Sequence, residues 1–193
     1  MIVTAETGCS GTRSVGMADR ATKVAGEMKR AQAIVGTLFF LVIAPGLVAG
    51  LIPWLISGWQ WRSPFFDGAL LPWLGGALVL AGIPMVLDSF ARFAIEGLGT
   101  PAPIYPTDRL IANGLYRHVR NPMYLGVLAV IAGQALLLGD IGLIIYTAFV
   151  WLAFHIFIVA YEEPTLRRRY GAQFEDYCTR VPRWLPRLRP ART

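Results

Sequence analysis

Two neighbouring acids and a small basic cluster are the residues of this chain best suited to chemistry. Glu162 and Glu163 close a long apolar run, at the C-terminal end of the helix such a run predicts. A helix dipole disfavours acids there, and a membrane edge makes them costlier. The pair needs a cation, supplied by Arg167 and its neighbours or by a cationic ligand. Arg117, His118, Arg120, Asn121 and Tyr124 crowd the start of another apolar run. Asn121-Pro122 reads as a helix N-cap followed by a first-turn proline. The free N–H groups and dipole of such a helix start suit a carboxylate or phosphate. An anion-accepting helix start beside a cation-accepting helix end suits a zwitterionic ligand.

Other residues are candidates with a plain structural alternative. His155 stands seven residues before Glu162, on about the same helix face. An intramembrane histidine can transfer a proton or serve as a hydrogen-bonded packing residue. Arg92, Arg117 and Arg183 can hold an anionic substrate group or anchor the chain at an interface. Asp88 and Arg92, spaced i, i+4, predict a local ion pair. Gly97-Leu98-Gly99 predicts a turn, and Gly126, Val130 and Gly133 predict close packing of the third apolar span on the fourth. Cys9 and Cys178 have no metal-ligand partners, so neither a metal site nor a disulfide scaffold is expected.

The elements that must position these residues follow from hydropathy. Of 193 residues, 55% are hydrophobic and 16% charged, and mean hydropathy is +0.50. A soluble domain carries about 25% charged residues, so the composition argues for an integral membrane protein and excludes a disordered or nucleic-acid-binding tail protein. Apolar runs at about 31–56, 69–91, 122–138 and 141–161 predict four transmembrane helices in an all-α fold. Pro45 and Pro53 kink or shorten the first. Gly139-Asp140 with Gly142 divides the last apolar stretch into a helical hairpin.

Of the 18 Lys and Arg residues, only Arg62 lies outside residues 1–30, the loop 92–121 and the tail 162–193. Both termini and the long loop between helices 2 and 3 are therefore expected in the cytoplasm. The net charge of +6 then reflects contact with membrane lipids rather than nucleic acid. Residues 1–30 read as a partly disordered cytoplasmic segment, with 1–16 a dispensable leader and Met17 a possible internal start, and no secretory signal fits them. Residues 31–193 read as one membrane domain. The tail predicts a cytoplasmic helix, since Leu166, Tyr170, Phe174 and Tyr177 recur every three or four positions.

Three strings carry a resemblance: Gly114-Leu-Tyr-Arg-His-Val-Arg-Asn-Pro-Met-Tyr-Leu-Gly126, Tyr161-Glu-Glu-Pro164, and the tail Tyr170-Gly-x5-Tyr177 with Val181-Pro-Arg-Trp-Leu-Pro186. Together, over about residues 95–187, they resemble the phospholipid and isoprenylcysteine carboxyl methyltransferase superfamily of membrane enzymes. The isoprenylcysteine enzymes usually carry His before this proline, where the chain has Asn121. The strings are more similar to those of phosphatidylethanolamine N-methyltransferases. The resemblance implies S-adenosylmethionine as cofactor, in a cytoplasmic pocket formed by the hairpin and tail. Arg120, Asn121, Tyr124, Leu125 and Gly126 would line it from one helix, and Glu162 and Glu163 from the other.

The reaction so implied is an in-line methyl transfer to a lipophilic acceptor entering from the bilayer. His155, Glu162 and Arg183 form the expected catalytic set, with Arg92, Arg117, His155 and Arg183 on the substrate side. A carboxylate acceptor needs no base, whereas an ammonium must first lose a proton to His155 or a glutamate. No GxGxxG dinucleotide motif is present. Two rival functions fit the topology: an NADPH-dependent reductase resembling the sterol reductases, and a non-catalytic lipid-binding membrane protein.

Overall fold

The computed structural model describes residues 42–62, 70–95 and 112–191, together with Val35, Gly36, Phe39 and Leu110. The segment 1–30, the start of the first span and the Gly97-Leu98-Gly99 turn lie outside the described residues. Every regular element among the described residues is helical. The principal helices are α1 (Val42–Ser57), α2 (Leu70–Ile95), α3 (Pro122–Leu138), α4 (Ile141–Tyr170) and α5 (Ala172–Arg180). A short 3-10 turn, Gly114–Arg117, precedes α3.

Two of these helices, α2 and α4, are long and apolar enough to cross a membrane, while α1 and α3 are shorter apolar helices. Their outward faces carry large apolar side chains, with Leu80 75% and Phe149 68% exposed. Such a surface suits lipid rather than water.

Prolines and glycines set the helix boundaries. Pro53 has no N–H to return to the carbonyls one turn earlier, and α1 widens there into a π turn, Leu47–Leu51. The freed carbonyls are taken by side chains: Gln134 Nε2 donates to Ala49 O at 2.7 Å, and the Tyr146 hydroxyl donates to Val48 O at 3.0 Å. Where no water competes, these bonds fix α1 against α3 and α4. Gly139 ends α3 in the left-handed region, with φ 67°. Asp140 then caps α4, accepting from Leu143 N at 3.2 Å, and pairs with Arg62 at 3.1 Å. The expected hairpin turn is therefore present.

The α2–α3 interface is a contact between backbones. A Cβ at Gly75 would fall 2.6 Å from the Gly133 oxygen, and one at Gly82 would fall 2.6 Å from the Gly126 oxygen. The pairs Gly75–Gly133 and Gly82–Gly126 recur after seven residues on each antiparallel helix, so a smooth stripe meets a smooth stripe. This corrects the expectation that Gly126 and Gly133 face the fourth span. Spacing marks a smooth helix face, but the partner is chosen by the matching stripe on α2. Helix α4 meets α3 through larger side chains, with Leu143 beside Ala135 and Leu138, and Val150 beside Leu128 and Ile131.

Helix α4 does not stop at Tyr161, where its apolar part ends. The helix continues through a π turn, Ile158–Glu162, to Tyr170. Gly171, with φ 52°, breaks the expected tail helix in two. Its apolar stripe still packs as one core: Phe174, Tyr177, Val181 and Ala191 are buried, with Leu166, Tyr170, Leu110 and Ala112 around them. Burying side chains of this size from water contributes about 1.5–3 kcal/mol each, enough to hold the tail against the segment that leads into α3.

Candidate functional site

The segment 118–121 approaches α3 in a non-helical conformation, and residues 182–191 lie along it and Arg117 as a strap. Arg120 N donates to Pro182 O at 2.9 Å, Arg187 N to His118 O at 3.0 Å, and Ala191 N to Arg117 O at 3.0 Å. Beneath the strap, the Tyr177 hydroxyl donates to Tyr116 O at 2.7 Å. Burial pushes the Tyr177 phenol up, against the charge of Arg120, so it stays a protonated donor.

Asn121 is buried here, but its side chain does not cap α3 as expected. Nδ2 donates to Arg183 O at 3.1 Å, tying the helix start to the strap. The helix geometry explains the consequence: the first N–H groups of α3 have no partner within the helix, and the Asn121 side chain does not cover them. Free N–H groups at a helix start suit an anion.

The two acids have separate partners. Glu163 is clamped by two guanidinium groups: Arg183 donates Nε and Nη2 at 2.7 and 2.8 Å, and Arg120 donates Nη1 at 2.9 Å. Burial works to raise the Glu163 carboxyl. The Arg183 hydrogen bonds and the charges of Arg120 and Arg183 outweigh it and hold the group below the usual carboxylate range. Arg120 also reaches Cys178 Sγ at 3.1 Å. Arg167, the expected partner of the acids, instead pairs with Glu175 on α5. Its place on the helix turns it outward, where Glu175 is in reach.

Glu162 receives the Tyr124 hydroxyl at 2.9 Å. Among the described residues no arginine, lysine or histidine forms an ion pair with it. Its carboxylate is thus hydrogen-bonded yet without a counter-cation, one helix turn from the uncapped start of α3.

The π turn decides which other residue joins it. Glu163 N bonds back five residues to Ile158 O, so this turn holds about one residue more than an α turn. Glu162 therefore stands two α turns beyond Phe154, not beyond His155. Tyr124 meets both residues on that face, with the Phe154 ring 4.7 Å from its own. His155 is turned elsewhere: Trp184 Nε1 donates to its Nδ1 at 3.2 Å, and the Trp151 ring stacks on it at 5.5 Å. The shared His155–Glu162 face expected from a seven-residue spacing is thus corrected.

The structure brings Arg120, Asn121, Tyr124, Glu162, Glu163 and Arg183 together. Leu125 lines a neighbouring groove, but Gly126 faces α2 across from Gly82. Arg92 and Arg117 line a separate cavity on the α2 side. Arg92 does form the expected local pair with Asp88, at 2.9 and 3.1 Å. Phe154 and Trp184 were not singled out by sequence: the π turn leaves no periodic signature, and Trp184 marks itself only as part of the Val181–Pro186 string. Below Tyr124 and Phe154, an apolar groove of about 570 Å³ runs between α3 and α4, lined by Leu125, Leu128, Ala129, Ala132, Ala148 and Trp151 among others.

The match to a known family falls on this same part of the chain. Residues 70–173, just over half of it, match the phospholipid methyltransferase family. Protein-S-isoprenylcysteine O-methyltransferase B of Arabidopsis thaliana is 34% identical over 79 residues, 40% of each chain. A probable protein-S-isoprenylcysteine O-methyltransferase of Oryza sativa subsp. indica is 35% identical over 79 residues, 40% of this chain and 41% of its own. The match spans about two fifths of the length of these relatives. The family match runs from the start of α2 through the hairpin and the acid pair into α5, so it takes in the glycine-paired scaffold and most of the clustered polar residues: the chain belongs to the phospholipid methyltransferase family.

Proposed function

We propose that the chain transfers a methyl group from S-adenosylmethionine to a lipophilic acceptor, a carboxylate or amine on a lipid-like molecule, at the cytoplasmic face of a membrane. The observation that carries this reading is the unequal state of the two acids. Glu163 is neutralised by Arg120 and Arg183, whereas Glu162 has a phenol for a partner and, among the described residues, no cation. The cofactor's charges fit the donor set. The uncapped N–H groups of α3 suit its carboxylate, while Glu162 and the rings of Tyr124 and Phe154 suit its cationic groups.

When bound, S-adenosylmethionine supplies a methyl group on a sulfonium that is already a good leaving group. The chain's own task is then binding, orientation and exclusion of water. Tyr124 orients the Glu162 carboxylate; Arg120 and Arg183 act through Glu163 as positioning residues that fix the end of α4 against the strap. If the acceptor is an amine, a base must take its proton; His155 Nδ1 accepts from Trp184, so the neutral ring carries its proton on Nε2 and could take a second one only at Nδ1, by giving up that bond. The groove between α3 and α4 gives an acyl or isoprenoid chain a lateral route from the bilayer. Four spans with both termini in the cytoplasm complete the reading.

Thermal unfolding of the purified protein tests it. S-adenosylhomocysteine should raise the midpoint and NADPH should not. Stabilisation by NADPH alone would favour the reductase reading, and none by either would favour a non-catalytic lipid-binding protein. Membranes supplied with methyl-labelled S-adenosylmethionine should then yield a labelled lipid that identifies the acceptor.

A further inference from the structure

A second cavity, of about 510 Å³, lies between α2 and the segment that enters α3. Its walls are Pro84, Met85, Asp88 and Arg92 on α2, Gly114, Leu115, Arg117 and His118 opposite, and Pro190 of the strap. None of the clustered residues around Glu162 lines it. The α2 residues fall on one helix face, and their polarity changes along it. Pro84 and Met85 lie two turns deeper in the apolar helix than Arg92, about 10–12 Å at 1.5 Å per residue. The cavity is therefore apolar at one end and charged at the other.

The charged end is built and held. Arg92 lies against Gly114, where a Cβ would come within 2.1 Å of its guanidinium carbon. Gly114 also has φ 56°, so both its conformation and its missing side chain seat Arg92. Arg117 donates Nε to Ala191 O at 2.9 Å, and His118 Nδ1 lies 2.7 Å from Arg187 O. Among the described lining residues, two arginines stand with one acid, Asp88. Guanidinium groups already fixed by other contacts lose little entropy on meeting a phosphate.

We propose that this cavity is a second ligand site, which binds the phosphodiester head group of an anionic phospholipid with the root of its acyl chains toward Met85 and Leu115. The site is separate from the methyl-transfer site, and its occupation does not depend on that reading. Lipid bound there would join α2 to the segment leading into α3 and to the strap.

Native mass spectrometry of the full chain in neutral detergent tests this. Short-chain phosphatidylglycerol and phosphatidylcholine are titrated separately, and inorganic phosphate is added as competitor. Phosphatidylglycerol should be retained at one per chain, at least tenfold more tightly than phosphatidylcholine. Arg117→Gln and Leu115→Trp, one removing charge and the other filling the apolar end, should each weaken retention at least tenfold. Arg168→Gln, on the exposed part of α4 outside the cavity, should leave it unchanged. If Arg117→Gln loosens the strap and the protein fails to fold, Leu115→Trp decides. Equal retention of the two lipids, displacement by millimolar phosphate, survival of retention in the folded cavity variants, or an equal loss in Arg168→Gln would each overturn the proposal.

Discussion

Replacing carboxylate by carboxamide at two adjacent positions should separate ligand binding from folding. In Glu162→Gln the Tyr124 hydroxyl keeps an oxygen to donate to, in place of the one now 2.9 Å away, so the fold should hold. What disappears is a negative charge beside the cofactor site. Opposite charges about 4 Å apart interact by about 4 kcal/mol at an effective dielectric of 20, and desolvation on binding offsets part of that. A net loss of about 2 kcal/mol, or about 30-fold in Kd for S-adenosylmethionine, is expected. Glu163→Gln should behave otherwise. It removes the charge that receives three hydrogen bonds of 2.7–2.9 Å from Arg120 and Arg183. Breaking a buried pair costs about 3–5 kcal/mol. Because the Arg183 side chain is 31% exposed, water relieves part of this, and about 3 kcal/mol is the expected cost. At about 2–4 °C per kcal/mol for a chain of this size, the midpoint should fall by roughly 6–12 °C. Calorimetric titration with S-adenosylmethionine and thermal unfolding in the same detergent read the two effects. Wild-type affinity in Glu162→Gln, or weakened affinity with unchanged stability in Glu163→Gln, would refute the division of roles.

Two further outcomes follow from the geometry. Gly82→Ala places a methyl group 2.6 Å from the Gly126 oxygen and should cost about 1–3 kcal/mol, whereas Gly76→Ala, with nothing within 4 Å, should be neutral or stabilising; matching thermal shifts for the two would remove the backbone contact from the account of α2–α3 packing. The Glu163 carboxyl is held below its ordinary value of 4.5, so its contribution to stability is complete above that pH and is lost as pH falls through the lower folded value. Acidification below about 4.5 should therefore lower the midpoint more in the wild type than in Glu163→Gln, and parallel curves would show that the clamp is not the titrating feature.

Much of this arrangement is written locally in the chain. Gly139-Asp140 supplies a left-handed residue and then a cap, so the hairpin turn can be placed without knowing anything else of the fold. The stripe Leu166, Tyr170, Phe174 and Tyr177 finds its core even though Gly171 breaks the helix, because both parts still turn these residues inward. The acid pair could be singled out because isolated acids at such a position are costly. Three features escaped, two because tertiary contacts set them and one because a π turn interrupts the helix. Gly126 and Gly133 declare a smooth face, yet only the equal spacing of Gly75 and Gly82 names its partner. Asn121 has the composition of a cap, but the Arg183 carbonyl draws its amide away. His155 and Glu162 are related by a period that holds only in an uninterrupted α-helix.

The wide turn at Ile158–Glu162 also affects α4 as a whole. In a rigid rod, the rotation that best seats Leu143 and Val150 against α3 would dictate which way Leu166 and Tyr170 point twenty residues later. Here the spare residue acts as a phase joint: the lower half is set by the bundle and the upper half by the tail core, each to its own optimum. Glu162 and Glu163 sit at that joint, one turned to Tyr124 and the other to the strap. A repacking substitution in either half need not carry its rotation through to the acids.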